Sequence, residues 1–355
     1  MPSRRSDRLR KRSRRHALRA AFLCCGCLFA ASALAEGARS LDEISALDGR
    51  QRENALAAIR NTPDGDPDLL ALETEASLRA DARRESGEPP RFPGCLRADE
   101  FELGVQLALA RAAYDSKAYR LLAVEFRRLS TSFTTALASA QTSGKWRKRF
   151  AHLGHWIEDW ERASEPDVRE LLRRTLVDQA IRASLSSFQG AAVYGQARPT
   201  AALRAYDEFI FNRMCMADED NLNWLKEKIS SSGWFDIGRY GAAADNAAWL
   251  LVQHADGDPG YQASVAVLLE PKVASGDTNP ANFAYLSDRI AVRNGRPQRF
   301  ATQAECVQGQ WLAPRIEDPD GLDARRAAMG LEPYRDQLAR RKHLCHEQTA
   351  RKPAQ

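Results

Sequence analysis

The chain has 355 residues, 28 % of them charged and 44 % hydrophobic, with a formal net charge of +5. That length suffices for one large or two ordinary domains. The positive charge does not argue for a nucleic-acid partner. Residues 1–35 hold nine Lys/Arg and one acid, so their removal takes the net charge from +5 to −3.

The N-terminal segment has the three parts of a secretory signal. Nine basic residues from Arg4 to Arg19 precede an apolar run from Ala20 to Leu34, and Ala33-Leu34-Ala35 offers the small-x-small cleavage pattern before Glu36. The run falls short of the roughly 20 apolar residues that span a bilayer, and no other segment comes close. The expectation is a signal peptide over 1–35, cleavage after Ala35, a periplasmic or secreted location and no stable membrane insertion. Ser13-Arg14-Arg15 resembles a twin-arginine export signal, but Ala17 stands where that signal wants a large apolar residue. Cys24, Cys25 and Cys27 lie inside the discarded run and lack the context of a lipid-anchored terminus.

Four cysteines remain: Cys95, Cys215, Cys306 and Cys345. An even count in an exported chain favours disulfides, and four cysteines allow three pairings. Cys306 and Cys345 fall in one C-terminal unit, so their pairing is expected, which leaves Cys95 with Cys215. With no Cys-x-x-Cys pair, His343-x-Cys345-His346 is not read as a metal site. No metal and no cofactor are expected.

From Leu41 to about Met216 the pattern is helical. Leu41, Ile44, Leu47, Leu56 and Ile59 recur at helical spacing. Helices are expected over 66–85, 99–113, 118–140, 145–160, 165–188 and 201–213, interrupted by the proline- and glycine-rich stretches 87–94 and 190–199. His152 and His155, near Glu158 and Asp159, read as a polar turn beside Trp146, Trp156 and Trp160 rather than as ligands. Further on, helices are expected over 220–229, 242–255, 259–274 and 280–294, the last two started by Pro259 and Pro280. The one β signal is a hairpin, 298–306 and 310–316 around Gln308-Gly309. Short helices over 320–329 and 333–344 close the chain. The fold class expected is mainly α, with two helical domains, 36–215 and 216–348, the second carrying the hairpin, and a disordered tail 349–355.

Polar residues gather in the second half. They are Gln253-His254-Ala255-Asp256-Gly257-Asp258-Pro259, Tyr285-Leu286-Ser287-Asp288-Arg289, and Gly295-Arg296-Pro297-Gln298 followed by Ala301-Thr302-Gln303. Ile316-Glu317-Asp318-Pro319 and Asp323-Ala324-Arg325-Arg326 complete the set. Together with Asn246-Ala247-Ala248-Trp249, this ordered series resembles an uncharacterised bacterial family, domain of unknown function 6624, over roughly Asn221 to Tyr334. One departure is Ala301, where the family prefers glycine. The resemblance implies a shared fold and brings no activity with it.

Read physically, His254 and Asp288 both fall on half-buried helix faces. A buried carboxylate needs a partner, and His254 or Arg325 is the expected one. An imidazole held by a carboxylate is the ingredient of a general base. Two readings follow. In the first, the protein binds a small polar ligand or an envelope protein, with Gln253, Asp256, Gln298, Gln303 and Arg325 lining a pocket. In the second, it is a hydrolase with His254 as base, Asp288 orienting it and Arg289 or Arg325 steadying negative charge. Against both stands a structural reading. There Asp256 and Asp258 cap helices around Pro259, and Arg325 and Arg326 close a salt network with Glu317 and Asp318. No Gly-x-Ser-x-Gly elbow, His-Glu-x-x-His pair or phosphate loop names a reaction.

Overall fold

A computed structural model describes residues 40–87, 95–138, 150–185, 201–307 and 310–341. The expected signal peptide, Cys345, the hairpin turn Gln308-Gly309 and the C-terminal tail lie outside these residues. The described chain is mainly α-helical with one two-stranded hairpin, as the periodicity predicts. It divides into two compact units that interleave in sequence rather than meeting at 215/216. Among the described residues, one comprises 40–87, 96–132 and 201–209; the other comprises Cys95, 133–138, 150–185, 210–307 and 310–341.

The first unit holds α1 (Leu41–Ala46), α2 (Gly49–Arg60), α3 (Gly65–Glu85), α4 (Ala98–Ala112) and most of α5 (Ser116–Ala138). Ser40 with Glu43, and Asp48 with Gln51, form capping boxes that satisfy the first free amides of α1 and α2. Leu41, Ile44, Leu56, Leu69, Leu107 and Leu109 make one buried cluster. Arg52 is buried at its edge, giving its guanidinium hydrogens to the carbonyls of Ile44, Ser45 and Leu47.

The second unit begins with α6 (Gly154–Arg162) and α7 (Pro166–Arg182). Next comes α8 (Ala201–Ser232), a single helix of 32 residues whose residues 210–232 belong to this unit. The sequence reading breaks α8 after Arg213. Met214 to Glu219 contains neither glycine nor proline, so nothing in the backbone stops it. There follow α9 (Ile237–Tyr240), α10 (Ala242–His254), α11 (Pro259–Ser275), α12 (Pro280–Arg293), β1 (Glu305–Val307), β2 (Gln310–Leu312), α13 (Leu322–Ala328) and a helical stretch over 334–341.

The core of this unit explains the alanines of α10. Ala244, Ala247 and Ala248 are fully buried in one cluster with Val168, Leu171 and Leu172 of α7. Small side chains at spacing three and four let the two helices come close. The hairpin is shorter than expected: Glu305 faces Leu312, Cys306 faces Trp311 and Val307 faces Gln310, while Gln298 and Ile316 meet only in an isolated parallel bridge. Residues 298–304 are not strand: three of their amides turn inward to one side chain, described below.

Candidate functional site

Three helix stripes place polar groups together. On α7, Leu171, Thr175, Asp178 and Arg182 follow one another at spacing four, three and four, so the buried face ends in an acid and a base. On α10, His254 lies seven residues after Ala247 and three after Leu251, on the face that packs against α7. On α8, Asp218 precedes Asn221, Leu222 and Leu225 on a buried stripe. One ligand atom each from Asp178, Asp218 and His254 lie within 4.8 Å of one another.

Arg182 organises the two acids. Its Nε donates to Asp178 Oδ1 at 3.0 Å and its Nη2 to Asp218 Oδ1 at 2.5 Å. Gln179 Nε2 donates to Asp178 Oδ2 at 2.8 Å. His254 Nδ1 lies 3.0 Å from that same Oδ2, yet it makes no straight hydrogen bond. Asp178 is 1 % exposed, while the side chains of Asp218 and His254 are 13 % and 19 % exposed. Burial alone pushes the Asp178 carboxyl up, but His254 and Arg182 outweigh it and hold the group below the ordinary carboxylate range. Asp218 goes the other way. Burial and the neighbouring Asp178 charge push it up to about 7 against the pull of Arg182.

The cluster sits beside the Cys95–Cys215 disulfide, whose Cα atoms are 5.4 Å apart. Cys95, Leu222 and Ala255 form a small buried cluster with Cys215 and Tyr261 packed on it, so the bridge abuts the residue after His254. This is the pairing that elimination leaves. Cys306 is also disulfide-bonded, and its expected partner Cys345 lies outside the described residues.

The other sequence-predicted site residues are placed elsewhere. Asp288 is not beside His254. Its Oδ1 accepts from the amides of Arg299 (2.9 Å) and Phe300 (3.1 Å), and its Oδ2 from the amide (2.8 Å) and hydroxyl (2.9 Å) of Thr302. The pairing with His254 or Arg325 is therefore corrected: backbone dipoles, not a charged side chain, satisfy this carboxylate. Ala301 turns the chain here with φ +52°, in the left-handed region where glycine is cheaper.

Gln298 and Gln303 lock the same turn. Gln298 Nε2 donates to the carbonyls of Gln303 and Pro314, and its Oε1 accepts from the Gln303 amide. Gln253 is buried; with its amide turned to suit its neighbours, its oxygen accepts from Trp249 Nε1 and the Leu286 amide. Asp256 is bound by the fork of Arg289, so these two pair with each other. Arg325 reaches Asp318 and the carbonyls of Arg299, Glu317 and Asp318. Arg326, fully buried, does not join that salt network. It goes to the carbonyls of Phe300 and Glu332 and to Gln337. Asp258 caps α11 through the Tyr261 amide, as the structural reading has it.

Sequence reasoning missed Asp178, Arg182 and Asp218. The signal was present as two acids and an arginine on the largely buried stripes of α7 and α8, but all three precede the stretch whose resemblance drew attention.

Compared with known proteins, no curated protein and no solved structure matches the chain. A family profile does match, described as a family of unknown function (DUF6624), over residues 166–343. The match reaches back beyond Asn221 to the first residue of α7, so Asp178, Arg182, Asp218 and His254 all lie within it. Spanning half of the chain, the match shows that this protein belongs to the DUF6624 family of unknown function.

Proposed function

We propose that this is an exported binding protein, periplasmic or secreted, whose family domain holds a small polar ligand at the Asp178–Asp218–His254 cluster. One observation carries the reading: three ionisable groups from three different helices converge on one spot, with a buried imidazole nitrogen that makes no straight hydrogen bond. Buried polar atoms in folded chains are nearly all satisfied, and one that is not calls for a partner. Export is supported by the basic, apolar and small-residue order of residues 1–35 and by the Cys95–Cys215 bridge, since disulfides persist in oxidising compartments.

The hydrolase alternative keeps an imidazole and a carboxylate 3.0 Å apart, but with Asp178 in the place expected of Asp288. Among the described residues no hydroxyl or thiol hydrogen-bonds to either member of the pair, so binding is the stronger reading. The test is a thermal-shift and calorimetric screen of the chain from Glu36 onward against amino acids, sugars, dicarboxylates and nucleotides. A ligand that stabilises the wild type but not Asp218→Asn supports the site. Equal stabilisation of both places binding elsewhere. N-terminal sequencing of the protein from its native host should begin at Glu36.

A further inference from the structure

We propose that Asp178, Asp218 and His254 together hold one divalent transition-metal ion; this rests on the binding reading above and names its ligand. The geometry around His254 is the starting point. Nδ1 and Asp178 Oδ2 are 3.0 Å apart, and a proton on that nitrogen, which must lie in the ring plane along the outward bisector, points off the line to that oxygen. A metal ion need not lie on the line between its ligands. It sits to one side and bonds to both, so a close but off-axis nitrogen–oxygen pair suits an ion better than a proton.

The third ligand is within reach. Zinc bonds to nitrogen and oxygen run about 2.0–2.2 Å, which in a tetrahedral shell puts ligand atoms roughly 3.3–3.6 Å apart. All three donor atoms here lie within 4.8 Å of one another. A rotamer-scale movement of Asp218, whose side chain is 13 % exposed, closes the set. Asp178 is held by Gln179 and Arg182, and Asp218 by Arg182, the kind of outer contacts that orient ligating carboxylates. Arg182 also cancels one of the two carboxylate charges when no ion is bound.

The donor set selects the ion. One imidazole and two carboxylates suit zinc, manganese or ferrous iron, whereas calcium and magnesium prefer all-oxygen shells. Three protein ligands leave a coordination position for water or an incoming group. The partial exposure of Asp218 and His254 gives the ion a route in.

The experiment uses the oxidised chain from Glu36 onward, stripped with a chelator, and zinc alone as probe. Calorimetry and elemental analysis should find one zinc per chain lost on chelation, at least about tenfold weaker binding in His254→Ala and in Asp218→Asn, and no heat with calcium. Circular dichroism of each variant without zinc verifies the fold, and His254→Gln replaces any variant that is unfolded. A double variant, His343→Ala with His346→Ala, should keep its zinc. Absence of zinc binding overturns the proposal, as does unchanged binding in both cluster variants or loss of zinc only in the tail variant. If zinc fails while an organic ligand still distinguishes wild type from Asp218→Asn, the binding reading stands and the metal falls. If neither distinguishes them, both fall.

Discussion

Asp178 and Asp288 are each 1 % exposed, in the same unit of the same chain, yet their surroundings are of opposite kinds. Asp288 meets four neutral donors, three of them backbone amides of one turn, and no cation within its hydrogen-bonding set. Asp178 meets a guanidinium, an imidazole and one side-chain amide, all supplied by rotatable side chains. Backbone dipoles cannot leave without unfolding the turn, so Asp288 is a fastening. Charged side chains can exchange partners, which is what the binding proposed at Asp178 requires. Burial pushes the Asp288 carboxyl up, with the Thr302, Phe300 and Arg299 donors pulling back, whereas His254 and Arg182 beside Asp178 overcome burial.

The sharpest way to break this contrast is Asp288→Ala. It strands three amides and a hydroxyl and should cost about 3–5 kcal/mol, read from urea unfolding. A loss under about 1 kcal/mol would mean that the turn does not depend on the carboxylate. Next in size, Thr302→Val removes one donor to Asp288 and should cost about 1–2 kcal/mol at pH 7. The sign with pH follows from the raised folded value. The folded state takes up this proton more readily than the unfolded chain, so stability from it is present in acid and lost as pH rises through that value. The Thr302→Val deficit should therefore shrink when unfolding is repeated near pH 4; a deficit that grows in acid contradicts the assignment.

On the other side of the comparison, Asp218→Asn keeps an acceptor for Arg182 and should move stability by less than about 1 kcal/mol while weakening zinc binding at least about tenfold. A large loss of stability there would make the cluster a fastening like Asp288. The smallest effect is expected at Ala301→Gly. Relief of a left-handed alanine, worth roughly 1–2 kcal/mol, is offset by glycine's greater entropy loss and the missing buried methyl, leaving a change within about 0.5 kcal/mol by thermal unfolding. A loss well beyond that would show that the methyl's packing outweighs the strain.

Much of the fold was legible along the chain. Helical spacing marks Leu41–Ile44, Pro259 and Pro280 mark the starts of α11 and α12, and Gly276 ends α11 in the left-handed conformation of a helix stop. Legibility failed where a local signal was absent, as in the unbroken α8. It failed again where a tertiary demand overrode the pattern, as in residues 298–304, whose alternation reads as strand while the amides of Arg299, Phe300 and Thr302 turn to Asp288. The candidate site was half legible. His254 stood out as a histidine on an apolar stripe, but its carboxylate lies 76 residues earlier in sequence, and no spacing rule spans that gap.

The residues in order were enough to read a helical chain with a small hairpin and the kinship of the second half, because periodicity and motif order are properties of the string, whereas four cysteines left three pairings open until the fold brought Cys95 to Cys215. Which acid faces His254 was decided only in three dimensions. Helices α7 and α10 come close through buried alanines and leucines, and that packing carries Asp178 to the imidazole while the Arg299–Thr302 turn closes over Asp288. Partner choice among buried charges is set by which faces the hydrophobic core brings together, and the core is assembled from residues far apart along the chain.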